Sequence, residues 1–242
     1  MPENHIPIKL PSKCLPYKDV DPSKIAIRTL KGKDEKIISE MSGENFERKF
    51  LTLLQNVLVG VDPSVLTLGD RLYLAVWEAM NSYSKEFTLK HECETCWQTS
   101  EFTVDLGKIN SIDLPDSYKQ PYELYLPKSK QTVTLKLLSI SDVIKVDELS
   151  KAGTNVWLYR YAYGVESPGK NIPEKAEFLE ELPTKDLALI RGFHEKFYHG
   201  PKMEVSYECP KCGGAGIMPV PFRLEMLFPY GEALTRNFGD AI

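Results

Sequence analysis

The sequence predicts an α+β protein that is internally duplicated, with two pseudo-symmetric halves of helices and short antiparallel strands joined where two cysteine-bearing turns meet. Three observations support this prediction. Four of the five cysteines form two CxxC pairs, Cys93/Cys96 and Cys209/Cys212. A shift of 116 residues superimposes one pair on the other. Each pair also follows a segment that alternates apolar and polar residues, which is the pattern of a half-buried strand.

The composition is that of an ordinary folded protein. A length of 242 residues suits one large domain or two small ones, and 42% hydrophobic with 26% charged residues excludes a disordered chain. The net charge of −4 gives no sign of a nucleic-acid binder that relies on overall charge. No apolar run approaches the roughly 18 residues that span a bilayer or resembles a signal-peptide core. We therefore expect a reducing cytoplasm, where paired cysteines bind metal more often than they form disulfides.

The shift of 116 residues aligns more than the cysteines. It places Asp70 on Asp186 and brings apolar positions of the flanking strands into coincidence. Nearer the start, residues 25–30 resemble residues 133–138 at a shift of 108, so each half needs an insertion of about eight residues, one around 16–22 and one around 166–173. The coincident strand positions are Phe87, Leu89 and His91 with Met203, Val205 and Tyr207, and Phe102, Val104 and Leu106 with Met218, Val220 and Phe222.

These alignments divide the chain into a first half over residues 1–112, a second half over 113–224 and a C-terminal tail over 225–242. We expect the two halves to form one compact unit. The alternative is that two independent modules each contribute a cysteine turn, because any two helix–strand units share a similar apolar pattern. The common order of strand, helices, strand, CxxC and strand at one spacing favours duplication.

Local patterns predict the elements of the first half. Residues 25–30 are typical of a strand, and Asp34 can cap the helix that follows. Apolar residues at helical spacing predict a helix over 46–57, and Gly60 ends it. Thr67, with an aspartate three residues on, resembles a capping box at the start of a helix that ends near Tyr83. Strands over 86–92 and around 102–106 flank the first cysteine turn.

The second half repeats this pattern with more helix. A helix capped by Ser141 or Asp142 and ended by Gly153 is followed by an aromatic helix that begins near Asn155. We expect its stripe of Trp157 and three tyrosines to pack in the core, although one face could meet a partner. The remaining predicted elements are a hairpin over 122–126 and 131–138, helices over 174–182 and 185–198, and strands over 203–208 and 217–222.

Two CxxC turns are typical of structural zinc sites. Tetrahedral zinc binds four soft ligands, commonly two from each of two tight turns, and a two-residue spacer lets both thiolates face one ion. A zinc ribbon normally separates its pairs by roughly 15–20 residues, and a duplication in which each half supplies half a site accounts for the longer separation here. We therefore expect one structural Zn²⁺ in a shared, discontinuous zinc ribbon, with Cys93, Cys96, Cys209 and Cys212 as ligands.

Alternatives to the shared site remain open. His91 or His194 could complete two separate sites, the pairs could be redox-active dithiols, or the cysteines could stay reduced without metal. Glycine follows Cys212 and permits the left-handed backbone that such a turn needs, whereas Trp97 follows the first pair, so we expect a less regular first turn. Four thiolates leave no open coordination position, so the expected role of the metal is structural.

The sequence contains no recognisable catalytic constellation. GxSxG, HExxH and P-loop motifs are absent, and no set of acid, base and nucleophile emerges, so we do not expect an enzyme. We expect His91 to be packed or on the surface, and His194 and His199 to face solvent or cap a helix. Cys14 has no counterpart in the second half and is expected to be a plain thiol.

With these features placed, the chain resembles the baseplate hub and hub-assembly proteins of contractile-tailed bacteriophages of the T-even type. The resemblance rests on a basic strand at 25–31 that runs into a helix at 34–36, on Phe87-Thr-Leu-Lys-His-Glu-Cys93, and on Val205-Ser-Tyr-Glu-Cys-Pro-Lys-Cys-Gly213. It covers about residues 7–222 and departs at Trp97-Gln98, where a glycine is common. The resemblance implies a structural or assembly role and supplies no catalytic residues.

Two functional hypotheses follow. The first is a structural or chaperone-like assembly protein of a phage baseplate hub, which contacts other hub or tail proteins in the host cytoplasm during assembly and, if retained, in the virion tail; oligomeric assembly is compatible with it. The second is a zinc-ribbon nucleic-acid-binding module in phage transcription or replication. Neither involves a membrane. The acidic residues near the cysteine turns would repel phosphate and disfavour the second hypothesis: Glu92, Glu94, Glu101, Asp105, Glu204 and Glu208.

Overall fold

The computed structural model describes residues 4–151, 156–166 and 170–227, and these residues form the expected α+β fold. Helix α2 follows the apolar periodicity of the sequence and buries Phe50, Leu53, Leu54 and Val57 on one face. None of the described helices is long and apolar enough to cross a membrane. The helices are α1 (Gly32–Ser39), α2 (Phe46–Val57), α3 (Leu68–Ser82), α4 (Ile140–Lys151), α5 (Val156–Gly164), α6 (Ile172–Glu180) and α7 (Thr184–Lys196).

Short antiparallel strands pair into small sheets of two or three strands rather than one continuous sheet. The longest pair is the hairpin that leads into and out of the first CxxC turn, with Glu86 opposite Asp105 and Glu92 opposite Thr99. The strands are β1 (Ile6–Pro7), β2 (Ala26–Ile27), β3 (Leu58–Val59), β4 (Glu86–Glu92), β5 (Thr99–Asp105), β6 (Ser111–Ile112), β7 (Tyr122–Leu126), β8 (Gln131–Leu135), β9 (Val165–Glu166), β10 (Gly200–Pro201), β11 (Glu204–Glu208) and β12 (Ala215–Pro219).

Two three-stranded sheets have the same construction. The strand order is β1-β2-β3 in one sheet and β7-β8-β9 in the other. Two helices connect the second strand to the third in each sheet, α1 and α2 in the first and α4 and α5 in the second. Helix α6 lies between β9 and α7 and has no counterpart between β3 and α3. The strand predicted over 25–30 is shorter than expected, because the Leu30 amide donates to Ser82 Oγ at 2.9 Å and the Lys31 amide donates to the Asp34 carboxylate at 2.9 Å instead of to a neighbouring strand.

An ion pair follows the middle strand of each three-stranded sheet, buried in the first sheet and partly buried in the second. Arg28 binds Asp34 at 2.7 Å, and Lys136 binds Asp142 at 2.9 Å. In each pair the aspartate follows its basic partner by six residues in the sequence. In each case the aspartate also accepts the backbone amide three residues before it. Ser139 is therefore the residue that caps α4, with its Oγ accepting the Asp142 amide at 3.2 Å, and the prediction of Ser141 or Asp142 as the cap was wrong. The predicted helix end at Gly153 lies outside the described residues.

Asp70 and Asp186 are both buried, near the start of α3 and α7 respectively. Asp70 binds the backbone of the segment that follows β1, and Asp186 binds the backbone of the loop that follows β7. Asp70 accepts the Ser12 amide at 2.9 Å, and Asp186 accepts the Lys128 amide at 3.1 Å, each across 58 residues of sequence. Thr67 Oγ1 accepts the Asp70 amide at 3.4 Å, as a helix cap does, but the Asp70 carboxylate does not return to the Thr67 amide. The capping box predicted here is therefore only half formed, because the carboxylate binds Ser12 and Tyr17 instead.

In the parts of the chain that the structure describes, the buried apolar side chains form two clusters. One lies among α1–α3 and the two cysteine-bearing hairpins, and the other lies among β7, β8 and α5–α7. The hairpin β11–β12 belongs to the second half in sequence, yet Tyr207, Met218 and Val220 are buried in the first cluster. Met226 and Leu227 from the predicted tail join them there. The C-terminal part of the described chain thus packs on the core of the first half.

His199 lies between α3 and the end of α7. It is 3% exposed, and its Nε2 lies 2.6 Å from Thr67 Oγ1 while its Nδ1 lies 3.0 Å from the Phe197 carbonyl oxygen. The prediction that this histidine faces solvent was therefore wrong, whereas the predicted capping role is confirmed, because Phe197 is the C-cap residue of α7. A β-carbon on Gly69 would lie 2.2 Å from the His199 carbonyl oxygen, so the absence of a side chain at Gly69 permits this close contact.

The aromatic helix α5 matches the prediction of core packing only in part. Tyr159 and Tyr161 of the predicted stripe are partly buried against the second cluster, to which Leu158 and Ala162 of the same helix also belong. Trp157 is 45% exposed and meets Tyr161 edge to face at 5.1 Å. The helix therefore turns one face to the core and presents an aromatic side chain to solvent.

Candidate metal centre

Each CxxC turn joins the two strands of a hairpin and is closed by the same two backbone hydrogen bonds. In the first turn, the Cys93 amide donates to the Gln98 carbonyl at 3.1 Å and the Trp97 amide donates to the Cys93 carbonyl at 2.8 Å. In the second, the corresponding bonds run from Cys209 to Gly214 at 2.8 Å and from Gly213 to Cys209 at 2.9 Å. Each residue in the bonds of the second turn lies 116 positions after its counterpart in the first turn.

The residue after the second cysteine has a left-handed backbone in both turns. Gly213 has φ of 72°, and Trp97 adopts φ of 59° although it carries a bulky side chain. The expectation of a less regular first turn was wrong, since both turns share one backbone geometry. The same closing hydrogen bonds accompany the left-handed backbone in both turns, with glycine at one position and tryptophan at the other.

The four paired cysteines converge. All four sulfur atoms lie within 4.8 Å of one another, with Cys93 Sγ 3.8 Å from Cys212 Sγ and Cys96 Sγ 3.8 Å from Cys209 Sγ. A tetrahedral zinc ion with Zn–S bonds of about 2.3 Å requires sulfur atoms about 3.8 Å apart. The donor set and its spacing therefore fit one zinc ion. The same distances exceed the roughly 2.05 Å of a disulfide, and the cysteines are free thiols.

Backbone amides support the sulfur atoms. The Thr95 amide donates to Cys93 Sγ and the Gly214 amide donates to Cys212 Sγ, both at 3.4 Å, as expected around thiolates that bind a cation. The Cys96 and Thr95 amides lower the pKa of Cys93 to about 6. The Gly214 amide lowers the pKa of Cys212, but the neighbouring sulfur atoms, Cys96 first, and burial together raise it to about 12. Four thiolates without a cation repel one another, and a divalent metal would remove that repulsion.

The two turns touch at a position where a side chain would interfere. A β-carbon on Gly214 would lie 2.7 Å from Thr95 Oγ1 and 3.2 Å from Cys212 Sγ. Sequence reasoning noted the glycine after Cys212 but missed the roles of Thr95 and Gly214. The Gly-Gly dipeptide was an available signal, because only its first glycine is needed for the left-handed turn.

Histidines do not join the cysteine cluster within the described part of the chain. His91 packs against Tyr207 with ring centroids 4.7 Å apart, which confirms the expectation of a packed imidazole. His194 lies on α7 beside Tyr161, and its Nε2 is buried, so the expectation that it faces solvent was wrong. Cys14 is a buried free thiol away from the cluster, and burial raises its pKa to about 11. With four sulfur donors, a bound metal would have no position for water or substrate, and its role would be structural.

The fold and the site together define an α+β protein in which four cysteines from two distant hairpins form one metal-compatible cluster. The model of the T4 bacteriophage base plate protein family matches residues 4–228, so the chain belongs to this family. The family confirms the resemblance to baseplate proteins of T-even-type phages and places the chain among components of the phage tail. Comparison with curated proteins and with solved structures gives no match.

Proposed function

We propose that the chain is a structural or chaperone-like assembly protein of the baseplate hub, and that one Zn²⁺ bound by Cys93, Cys96, Cys209 and Cys212 holds its two halves together. The observation that carries this proposal is the convergence of the two cysteine turns. The two closest sulfur pairs, Cys93 with Cys212 and Cys96 with Cys209, join residues that are 119 and 113 positions apart in the sequence. A metal bound there cross-links the first-half core to the C-terminal hairpin. Its binding free energy then contributes directly to folding.

We also propose that the two halves, residues 1–112 and 113–224, are copies of one unit. The ion pairs Arg28–Asp34 and Lys136–Asp142, and the loop contacts of Asp70 and Asp186, occur at matching places in the two halves. The pairings Leu89 with Phe102 and Val205 with Met218 are also related by 116 residues. Chance rarely produces the same buried polar contacts, at the same separations, in two unrelated modules. Duplication accounts for a discontinuous ribbon in which each copy contributes half a site.

A baseplate role means that the chain acts through contacts with other tail proteins. The alternative role in nucleic-acid binding is disfavoured by the exposed carboxylates of Glu92, Glu94 and Glu208 beside the cysteine turns. We expect the chain to remain free of labelled single-stranded and double-stranded DNA in filter binding at low salt. Retention with a steep salt dependence would favour the nucleic-acid role instead.

Phage complementation tests the hub role. Cells that express the wild-type chain, Cys93→Ser or Cys14→Ala are infected with a phage whose own copy of the gene is inactive, and tails are counted by electron microscopy. We expect complete baseplates with the wild type and Cys14→Ala, and incomplete baseplates with Cys93→Ser. Complete baseplates in cells that express no copy of the chain would overturn the proposal. Mass spectrometry of purified virions then distinguishes a retained subunit from an assembly factor.

A further inference from the structure

A cavity of about 470 Å³ lies between the N-terminal turn of α3, helix α5 and the C-terminal end of α7. Both halves of the chain contribute to it, since α3 belongs to the first half and α5 and α7 to the second. Leu72, Leu138 and Phe197 provide apolar lining, and Trp157 and Tyr161 add aromatic lining. The volume lies within the roughly 300–1,000 Å³ typical of ligand pockets, and it suits one large side chain with its flanking backbone.

The lining is positively charged. Arg71 and Arg160 both line the cavity, and no carboxylate does so among the residues that the structure describes. Glu47 binds Arg71 and neutralises it. Arg160 is exposed, and no carboxylate from the described parts of the chain binds it. The chain as a whole carries a net charge of −4. The Arg160 guanidinium, which is not ion-paired within the described parts of the chain, therefore makes the surface above this apolar cavity locally positive.

His194 lies beneath this charge and does not add to it. Its ring lies 5.6 Å from the ring of Tyr161, and its buried Nε2 has no hydrogen-bond partner among the described residues. Burial and the nearby charge of Arg160 lower the pKa of His194 to about 4, so the imidazole is neutral near pH 7. Among the described lining residues, Arg160 is then the cation that is not already bound to a carboxylate.

The rim of the cavity carries the residue types that dominate binding energy at protein interfaces, which are tryptophan, tyrosine and arginine. Trp157 is 45% exposed and Tyr198 is 43% exposed. Arg191 lies 5.9 Å from the centre of the Trp157 ring and packs over its face, which favours a fixed orientation of that ring. The rim therefore has aromatic side chains in place before a partner binds, and this reduces the entropy lost on binding.

We propose that this cavity, bounded by Leu72, Trp157, Arg160 and Phe197, is a docking site for a segment of a partner protein that presents an apolar or aromatic side chain next to a carboxylate. The apolar side chain fills the cavity, and the carboxylate accepts two hydrogen bonds from the Arg160 guanidinium. The inference rests on the proposed function only in taking the partner to be another tail protein.

Defined peptides test this docking site without any assumption about the baseplate. The probes are acetyl-Gly-Phe-Glu-Gly-amide and acetyl-Gly-Leu-Glu-Gly-amide, with matched peptides that contain glutamine or replace the apolar residue by alanine. Binding is followed to 5 mM peptide by the indole NMR signal of Trp157, assigned with Trp157→Phe, in low-salt buffer near pH 7. We expect saturable shifts with the apolar acidic peptides, and at least tenfold weaker binding of the glutamine and alanine peptides.

Two variants provide the control. Arg160→Gln removes the proposed carboxylate partner, and we expect it to abolish the preference for glutamate over glutamine while leaving the thermal midpoint unchanged. Arg48→Gln removes an exposed guanidinium that does not line the cavity and should leave binding as in the wild type. The proposal is overturned if none of the peptides shifts the Trp157 signal, if acid and amide peptides bind equally, or if Arg160→Gln keeps the preference. None of these outcomes affects the baseplate assignment, which phage complementation tests separately.

Discussion

Trp97 and Gly213 occupy the same position in the two cysteine turns. Each has a left-handed backbone, with φ of 59° and 72°, and each donates its amide to the carbonyl of the first cysteine of its turn. A left-handed conformation costs an L residue roughly 1–2 kcal/mol relative to glycine. Because the Trp97 side chain is 71% exposed, little packing within the chain offsets that cost.

The first prediction concerns this strain. We expect Trp97→Gly to raise the free energy of unfolding by up to about 1 kcal/mol, since relief of the left-handed strain exceeds the added entropy of the unfolded chain. Urea unfolding of the metal-loaded protein, followed by circular dichroism, measures the change. Gly213→Ala is the matched control and should lower stability by a similar amount. A lower urea midpoint for Trp97→Gly would show that the tryptophan packs favourably despite its exposure.

The second prediction concerns the contact between the two turns. Gly214→Ala places a methyl group against Thr95 Oγ1 and Cys212 Sγ, at 2.7 and 3.2 Å, and should weaken zinc binding by about tenfold or more. Competition with a coloured chelator measures the affinity. Gly192→Ala in α7 meets nothing within 4 Å and should leave the affinity unchanged while stabilising the helix by up to about 1 kcal/mol. Equal affinities for both variants would mean that the turns separate without cost.

The third prediction compares the buried ion pair Arg28–Asp34 with the partly buried pair Lys136–Asp142. Asp34→Ala leaves Arg28 without its partner in a site where both side chains are nearly inaccessible, and should cost about 3–5 kcal/mol of unfolding free energy. Asp142→Ala should cost less, because the Lys136 side chain is 27% exposed and can reach water. Urea unfolding of both variants measures the order. A larger loss for Asp142→Ala would contradict the difference in burial.

The fourth prediction concerns pH. Burial raises the pKa of Glu78 to about 8, and its Oε1 has no hydrogen-bond partner within the described ranges of the chain. The folded state therefore holds a proton that the unfolded state releases near pH 4.5, so this contribution to stability is complete below pH 4.5 and is lost as pH rises through 8. The loss should be of the order of a few kcal/mol.

Glu78→Gln isolates this contribution, because the amide keeps the size of the side chain and an oxygen for the Ser82 hydroxyl. We expect the variant to gain stability relative to the wild type between pH 5 and pH 9, as measured by urea midpoints at each pH. Glu86→Gln, at an exposed carboxylate, should show no such gain. Parallel curves for the wild type and Glu78→Gln would mean that Glu78 is ionised in the folded protein throughout.

The sequence predicts features that depend on local pattern and on cysteine spacing. Helix α2 coincides with its prediction because Phe50, Leu53, Leu54 and Val57 lie on one helical face. The four cysteines converge as predicted, because each CxxC spacing lets both sulfur atoms of a turn face one point. Strand lengths were overestimated where side chains, such as Ser82 Oγ at Leu30, replace the ladder hydrogen bonds.

Features that depend on distant contacts were not predictable. The burial of His199 follows from its hydrogen bond to Thr67, 132 residues away, which no local pattern encodes. The left-handed backbone of Trp97 follows from the closing hydrogen bonds of the turn rather than from the preference of tryptophan. The position of Trp157 and Arg160 on one cavity depends on how α5 packs against α3 and α7.

Zinc content is the most direct test of the account, because one shared site is its central claim. Elemental analysis and native mass spectrometry of the purified chain should give one zinc ion per chain. Cys93→Ser and Cys209→Ser should each abolish stoichiometric binding, Cys14→Ala should not, and a chelator should lower the thermal midpoint of the wild type. Two zinc ions per chain, or full zinc content after disruption of either turn, would contradict a single site shared by the two halves.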